Sequence, residues 1–265
     1  MSRAIGVFDS GVGGLTVVKE LIHQLPRENI VYFGDTARVP YGIKSQETIV
    51  RFSIENILFL LKQEVKLICV ACNTVSSIAL PVIRNHFKVP LVGVISPGAR
   101  EAVYATKNKR IGVIGTKATI ASKAYESEIK AISPDIKVVS CACPLFVPFV
   151  EEGWINERAV FDVAKRYLQP LKVASVDTII LGCTHYPLLK TVIKKVMGGG
   201  VTLIDSAKQV ATEVKQILNR EELLEFNPGP RRDFYVSDGP AWFSGLAKRF
   251  LGHSVKKVTK VSLNV

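Results

Sequence analysis

The sequence predicts an α/β protein with two related parallel-sheet domains, arranged about a pseudo-twofold axis with the active site in the cleft between them. Short apolar segments alternate with amphipathic segments along almost the whole chain, which is typical of parallel sheets covered by helices. A weak internal duplication indicates two halves of related design. With 265 residues, 48% of them hydrophobic and 22% charged, the chain is long enough for two domains of ordinary size.

Each predicted strand is a short, mainly apolar run, and each predicted helix has apolar residues on one stripe. The eight strands that alternate with helices are predicted at 4–8, 30–33, 67–71, 91–94, 110–114, 136–139, 177–181 and 201–204. The clearest helices between them are predicted at 47–61 and 155–168. The C-terminal region adds a helix at 242–250 and a last strand at 257–263.

Two segments of the N-terminal half have counterparts in the C-terminal half. AIGVFDSG at 4–11 resembles RIGVIGT at 110–116, and LICVACNT at 67–74 resembles TIILGCTH at 178–185. Gly6 and Gly112 are 106 residues apart, and Cys72 and Cys183 are 111 residues apart. Because the spacings are nearly equal and the order is the same, a duplication explains them better than the general likeness of apolar strands.

Each half therefore has a cysteine at the carboxyl end of a strand, just before a helix. Ligands of open α/β sheets bind outside these strand ends, and a helix N-terminus favours the thiolate. If the halves face each other, Cys72 and Cys183 approach one cleft from opposite sides. One thiolate can then remove a proton from a carbon while the other thiol protonates its opposite face, which is what inversion of a stereocentre requires.

Two further residues are placed to set the protonation of these thiols. His185 follows Cys183 by two residues and can carry a proton. Asp9, at the end of the first strand, is the candidate partner of Cys72. A turn or helix-start residue with a structural hydrogen bond explains Asp9 or His185 equally well.

The loop DSGVGG at 9–14 matches neither the dinucleotide-binding pattern nor a P-loop. Its backbone N–H groups and the Ser10 hydroxyl are better suited to a carboxylate. Asn73-Thr74 and Thr184-His185 offer similar donors at two more helix starts, which suits a small dicarboxylate. Ordinary N-capping is the alternative explanation of these residues.

Charge and cysteine content exclude several classes of protein. The net charge of +12 is best explained by a solvated basic surface, and the alternative is attraction of an acidic metabolite or, non-specifically, of nucleic acid; no motif of a nucleic-acid-binding module is present. Five cysteines, an odd number, argue against a disulfide framework, and no histidine pair completes a metal site. Without a secretory h-region or an apolar run of ~18 residues, the chain is predicted to be cytoplasmic and not to enter membranes.

Six segments, in order along the chain, closely resemble the glutamate racemases of the aspartate/glutamate racemase family. They are GVFDSGVGGLT at 6–16, DTARVPYG at 35–42, ACNT at 71–74, GTKATI at 115–120, PLFVPFVEEG at 144–153 and LGCTHYPL at 181–188. The resemblance implies a cofactor-independent enzyme that interconverts L- and D-glutamate and supplies D-glutamate for peptidoglycan. It also implies a homodimer whose first domain comprises 1–96 plus 211–265 and whose second comprises 97–210.

The resemblance also implies roles for individual residues. Cys72 and Cys183 match the two catalytic acid/base thiols, and Asp9 and His185 match the auxiliary groups beside them. Glu151 matches a further assisting carboxylate, with the adjacent Glu152 as the alternative. Substrate contacts are implied at Asp9, Ser10, Tyr41, Gly42, Asn73, Thr74, Thr184 and His185, with Thr116 and Thr119 as further candidates.

Three alternative functions are compatible with the sequence. The first is a racemase of the same superfamily that acts on aspartate, which turnover of both amino acids would distinguish. The second is a binding protein that has kept the cleft and lost catalysis, although the presence of both Cys72 and Cys183 argues against it. The third is a pyridoxal-phosphate enzyme, which the chromophore of its Schiff base would reveal.

Overall fold

The computed structural model describes residues 3–226 and 228–263, and strands and helices alternate along them as predicted. The strands are β1 Ala4–Asp9, β2 Ile30–Gly34, β3 Val65–Val70, β4 Leu91–Gly93, β5 Arg110–Gly115, β6 Lys137–Ala142, β7 Thr178–Gly182, β8 Thr202–Ile204, β9 Arg232–Val236 and β10 Thr259–Lys260. The helices are α1 Leu15–Gln24, α2 Gln46–Leu61, α3 Asn73–Ile78, α4 Leu80–Ile83, α5 Ile95–Ala105, α6 Lys117–Ala121, α7 Ala124–Ile132, α8 Phe146–Glu152, α9 Arg158–Val173, α10 Lys190–Met197, α11 Ser206–Arg220 and α12 Pro240–Leu251.

The strands form two parallel sheets with a repeated topology. The first sheet has the order β10-β9-β2-β1-β3-β4, and the second has the order β6-β5-β7-β8. All strand pairs in both sheets are parallel. Because β2-β1-β3-β4 recurs as β6-β5-β7-β8, β3 and β7 hold the same position in the two sheets. The predicted fold class, with two related parallel sheets, is confirmed.

The central strands are buried on both faces because helices cover both sides of the first sheet. Successive side chains of β1 point to opposite faces, so Ile5 and Val7 enter one hydrophobic cluster and Ala4 and Phe8 enter another. The first cluster also contains residues of the second sheet, such as Ile180 of β7. The two sheets are therefore joined by a continuous apolar core rather than by a flexible linker.

One strand was missed, and the ends of several elements differ from the sequence predictions; for example, β6 extends to Ala142 and α9 to Val173, where 139 and 168 were predicted. β9 was not predicted, because it begins with the charged residues Arg232 and Asp233 and so lacks a continuous apolar run; only Phe234 and Val236 of this strand are buried. The last strand is reduced to Thr259–Lys260, which pairs with β9, where 257–263 was predicted. α9 begins at Arg158 instead of 155, because the chain first turns through Gly153 at a positive φ of 84°.

Two helices cross the predicted domain boundaries. α5 contains the boundary 96/97, and α11 contains the boundary 210/211. Strands β9 and β10, close to the end of the chain, lie in the same sheet as β1–β4, whereas β5–β8 form the second sheet. The division into 1–96 plus 211–265 and 97–210 stays a prediction. Within residues 3–226 and 228–263, no helix combines the length and the apolar character needed to cross a membrane.

Candidate active site

The two cysteines singled out in the sequence lie at equivalent strand ends of the two sheets. Cys72 follows β3 and is the N-cap residue of α3, and Cys183 follows β7 directly. Both are buried, with 6% and 7% of their surface exposed. Negative charge on Cys183 contributes to raising the pKa of Cys72, so the two sulfurs lie within electrostatic reach of each other.

The two halves touch around these thiols. Gly13, in the loop after β1, lies so close to the loop after β7 that a Cβ there would be 2.6 Å from His185 Cε1. Thr74 Oγ1 of the first half lies 3.0 Å from Thr116 Oγ1 of the second. Gly42 is also packed on Thr116: a Cβ added to this glycine would lie 2.9 Å from the Thr116 Cβ. The cysteines are therefore enclosed between the sheets and largely shielded from solvent.

Cys72 is held as a neutral thiol. Burial, together with the negative charge of Asp9, raises the pKa of Cys72 to about 12, and the Ser10 contact only partly offsets this. The Cys72 Sγ donates to Ser10 Oγ at 3.5 Å. The expectation that the helix N-terminus would favour the Cys72 thiolate is wrong in this structure. α3 has only six residues, and the positive end of so short a helix is outweighed by desolvation.

Asp9 is the last residue of β1 and is completely buried. Its Oδ2 accepts a hydrogen bond from the Gly11 backbone N–H at 3.0 Å, whereas Oδ1 has no hydrogen-bond partner among the described residues. Burial raises the pKa of Asp9, and the charge of His185 and nearby backbone N–H groups oppose this rise. A carboxyl group with a raised pKa and one free acceptor oxygen is suited both to proton exchange and to a ligand ammonium group.

Cys183 lies beside a hydrogen-bonded histidine–glutamate pair. His185 Nδ1 lies 3.9 Å from Cys183 Sγ, and His185 Nε2 lies 3.0 Å from Glu151 Oε1. Burial by itself lowers the pKa of His185, but its hydrogen bonds with Cys183 and Glu151 outweigh burial and raise that pKa to about 10. His185 is therefore an imidazolium at neutral pH. Glu151, and not the adjacent Glu152, is the carboxylate in contact with it.

The two thiols are thus equivalent in position but different in electrostatic environment. A carboxyl group, Asp9, lies beside Cys72, and a cationic imidazolium, His185, lies beside Cys183. The first neighbour favours the neutral thiol, and the second stabilises negative charge on sulfur. The site therefore places two groups of the same kind in unlike surroundings, one beside a carboxyl group and one beside a cation.

The threonine hydroxyls among the predicted substrate contacts lie close to one another or to His185. Thr74, Thr116 and Thr119 form a triangle of hydroxyl groups separated by 3.0 to 3.3 Å. Thr184 Oγ1 lies 3.4 Å from His185 Nδ1. Tyr41, by contrast, is buried in the core.

Tyr41 donates its hydroxyl hydrogen bond to the Asp35 carboxylate and accepts one from Asn56 at 3.3 Å. Burial and the Asp35 charge raise the pKa of Tyr41 far above its ordinary value, so this hydroxyl stays neutral. The Tyr41 hydroxyl is therefore engaged with Asp35 and Asn56.

Several residues that support the site were not found from the sequence. Tyr125 of α7, a buried residue, donates to Asn73 Oδ1 at 2.7 Å and lies 3.1 Å from Ser206 Oγ. Arg249 and Phe250 of α12 contact the region of Glu151 and His185. None of these residues lies next to a predicted catalytic residue in the chain, so no local pattern in the sequence could have identified them.

Within the described part of the chain, no group of three or more His, Cys, Asp and Glu side chains is arranged to hold a metal ion. Cys69 and Cys72, three residues apart, do not share a site: Cys69 lies in the hydrophobic core within β3, whereas Cys72 is beyond the end of that strand.

Comparison with known proteins agrees with this fold and shows the family. The profile of the Asp/Glu/hydantoin racemase family matches residues 5–214. The glutamate racemase of Geobacter metallireducens is 52% identical over 262 residues, which cover 98% of this chain and 97% of that relative.

Two solved structures are similar over almost their full length. Glutamate racemase isoform RacE1 from Bacillus anthracis has a TM-score of 0.96 at 42% identity, covering 99% of this chain and 98% of that one. Glutamate racemase from Francisella tularensis in complex with D-glutamate has a TM-score of 0.94 at 42% identity, with the same coverage. The chain therefore belongs to the Asp/Glu/hydantoin racemase family and is an amino-acid racemase, an isomerase.

Proposed function

We propose that this protein interconverts L- and D-glutamate by transferring the α-proton between Cys72 and Cys183. The observation that carries the proposal is the pair of buried thiols at equivalent strand ends, each with its own acidic or basic neighbour. A single nucleophilic cysteine would give no reason for a second one at the matching position of the other sheet. Two groups of the same kind are needed because the reverse reaction exchanges their roles.

In the proposed reaction, the α-carbon lies between the two sulfurs. One cysteine, as thiolate, removes the α-proton, so that a C–H bond breaks and an S–H bond forms. The electron pair left on the carbon is delocalised into the α-carboxylate. The opposite thiol then donates its proton to the other face of the carbon, so that its S–H bond breaks and a new C–H bond forms. Each cysteine finishes in the state in which the other began.

Asp9 and His185 adjust the two thiols for these steps. His185, as imidazolium, stabilises negative charge on Cys183 while that sulfur is deprotonated. Asp9 holds Cys72 protonated and, with its own raised pKa, can exchange a proton with it. Burial of both sulfurs keeps water away from the carbanion, which strengthens these electrostatic effects.

The polar groups around the thiols fit a zwitterionic dicarboxylate. The ammonium group of the substrate would donate to Asp9 Oδ1, which has no donor among the described residues. The two carboxylates would accept hydrogen bonds from Ser10, Asn73, Thr74 and Thr184, with the Thr116 and Thr119 hydroxyls close to Thr74. The D-glutamate in the Francisella tularensis structure supports glutamate as the substrate.

The cellular setting that we propose follows from this activity. All groups used in the proposed steps are protein side chains, in line with a cofactor-independent reaction. D-Glutamate is a component of peptidoglycan, so the product would enter the synthesis of cell-wall precursors in the cytoplasm and influence cell shape. The full-length similarity to glutamate racemases supports a homodimer, because these enzymes usually form one.

The test is to incubate the protein with L- or D-glutamate in deuterated water and to follow loss of optical activity and deuterium at Cα. We expect both enantiomers to racemise, with deuterium in the newly formed enantiomer. Cys72→Ser and Cys183→Ser should each lower kcat/KM by roughly 10³-fold or more, because a hydroxyl is a much weaker acid than a thiol. Cys141→Ser, a control at the end of β6, should leave it unchanged.

Two results would contradict the proposal. Racemisation at near wild-type rate by Cys72→Ser or Cys183→Ser would exclude the two-thiol mechanism. Faster turnover of aspartate than of glutamate would replace the proposed substrate.

A further inference from the structure

The last turn of α8, which carries Glu151, is capped by a side chain from the other half of the molecule. Arg249 Nη1 donates to the Val150 carbonyl at 2.8 Å and to the Glu151 carbonyl at 2.7 Å. The last carbonyls of a helix have no partner within the helix, and a cation there also interacts favourably with the helix dipole. Arg249 thus supplies a donor to the Glu151 carbonyl and a second donor to the Val150 carbonyl, which also accepts from the Gly153 backbone N–H at 3.1 Å.

The guanidinium group also fills the space next to the end of α8. Gly153, which follows α8, has a positive φ of 84°, and a Cβ on it would lie 2.6 Å from Arg249 Nη2. A larger residue at this position would displace the arginine. The glycine and the arginine therefore fit each other, and together they fix where α8 ends.

Phe250, the residue after Arg249, contacts His185, which is the hydrogen-bond partner of Glu151. The Phe250 ring, which is buried, meets the His185 ring edge-on, with 5.2 Å between centroids and 83° between planes. His185 in turn bonds Glu151 through Nε2 at 3.0 Å. Two consecutive residues of α12 therefore hold this pair, one through the Glu151 backbone and one through the His185 ring.

We propose that the last turn of α12 is a positioning element for Cys183, with Arg249 and Phe250 fixing the Glu151–His185 pair beside that thiol. This inference rests on the proposed racemase mechanism and extends it to residues that do not touch the substrate. α12 packs on α1, which follows β1 of the first sheet, whereas Cys183 follows β7 of the second. The half that carries Cys72 thus helps to set the electrostatics of the opposite thiol.

A first experiment compares Arg249→Gln and Phe250→Leu with the wild type by kinetics. Lys248→Gln, at an exposed neighbouring position on the same helix, is the matched control for loss of charge. We expect each of the two variants to lower kcat/KM by about tenfold, because small displacements of a catalytic group are costly. Arg249→Lys should recover part of the loss, since its ammonium group can still bond a carbonyl.

Primary deuterium isotope effects distinguish positioning from a general loss of structure. A higher barrier for proton transfer at Cys183 makes that step more rate-limiting in both directions. With Cα-deuterated substrates, the isotope effect on kcat/KM should rise for the enantiomer that Cys183 deprotonates and fall for the other. A loss of folded protein would lower both rates and leave both isotope effects unchanged.

A readout that does not depend on turnover is ¹⁵N NMR of labelled histidine, with the His185 signal assigned from His185→Asn. We expect Arg249→Gln to lower the pKa of His185 from about 10, because the Glu151 hydrogen bond is loosened. If the isotope effects and the His185 titration of both folded variants match the wild type, the inference is wrong. If the wild type does not racemise glutamate, the proposed function fails, while the titration still tests the positioning.

Discussion

Replacing His185 by asparagine removes the positive charge beside Cys183 and keeps a polar side chain. In the structure, His185 Nδ1 lies 3.9 Å from Cys183 Sγ, and the histidine is almost completely buried, with 6% of its surface exposed. The asparagine amide can still bond Thr184 but cannot carry charge. His185→Asn therefore tests how much of the catalysis depends on an imidazolium at this position.

The size of the effect follows from the distance between the two groups. Unit charges about 4 Å apart attract each other by about 4 kcal/mol at an effective dielectric constant of ~20. If the transition state lost all of this attraction, the rate of proton transfer would fall by roughly 10³-fold. Because the neutral amide recovers part of it, we expect His185→Asn to lower kcat/KM by roughly 10²- to 10³-fold.

The assay is polarimetry with each enantiomer as the starting substrate. The equilibrium constant of a racemisation is 1, so kcat/KM must fall equally in both directions. His253→Asn, at an exposed position after α12, is the control and should keep wild-type activity. A loss of less than about tenfold in His185→Asn would refute the assignment of a charged histidine to Cys183.

The same substitution has a predictable effect on the pH dependence of stability. The pKa of His185 is raised from its ordinary 6.5 to about 10 in the folded protein. A raised pKa stabilises the fold fully below about pH 6.5 and ceases to do so as the pH rises through about 10. The wild type should therefore lose its advantage over His185→Asn between these pH values in urea unfolding. A difference that does not change with pH would contradict the raised pKa.

Three further substitutions test other parts of the structure. Tyr125→Phe removes the donor to Asn73 Oδ1, so the KM for glutamate should rise several-fold and urea unfolding should show a loss of about 1 kcal/mol in stability. An unchanged KM would show that the Asn73 amide does not need this hydrogen bond. Lys66→Met removes the cation that lies 2.7 Å from the buried Glu28 carboxylate, so the free energy of unfolding should fall by about 3–5 kcal/mol. Adding Glu28→Gln should restore most of that free energy, and no recovery would mean that the loss has another cause. Gly13→Ala inserts a methyl group against the loop after β7, so kcat/KM should fall at least about tenfold while the far-UV circular dichroism spectrum stays unchanged. A kcat/KM equal to that of the wild type would show that catalysis does not require the close contact between the loops after β1 and β7.

Much of the fold could be predicted because its signals are local. Eight of the strands are short apolar runs, and such runs are typical of strands buried on both faces by helices. β9 escaped prediction because it begins with two charged residues and so lacks a continuous apolar run. The strand order within each sheet could not be deduced, since pairing depends on contacts between segments far apart in the chain.

The candidate site was predictable where its residues lie at strand ends. Cys72 and Cys183 stood out because the same motif occurs twice, and His185 because it lies two residues from Cys183. Their protonation states could not be predicted from position in the chain. Burial and the charge of Asp9 raise the pKa of Cys72, whereas the helix-start position had predicted the opposite direction.

The alternating α/β pattern, the duplication and the chemical identity of the paired thiols could all be derived from the amino-acid sequence, because they depend on residue type and on neighbours along the chain. The tertiary structure decided which charge lies beside each thiol, which of the two adjacent glutamates meets His185, and that Arg249 and Phe250 support this pair. The physical reason is that electrostatic environment and helix capping depend on distance in space. That distance is set by how the two sheets and α12 pack together.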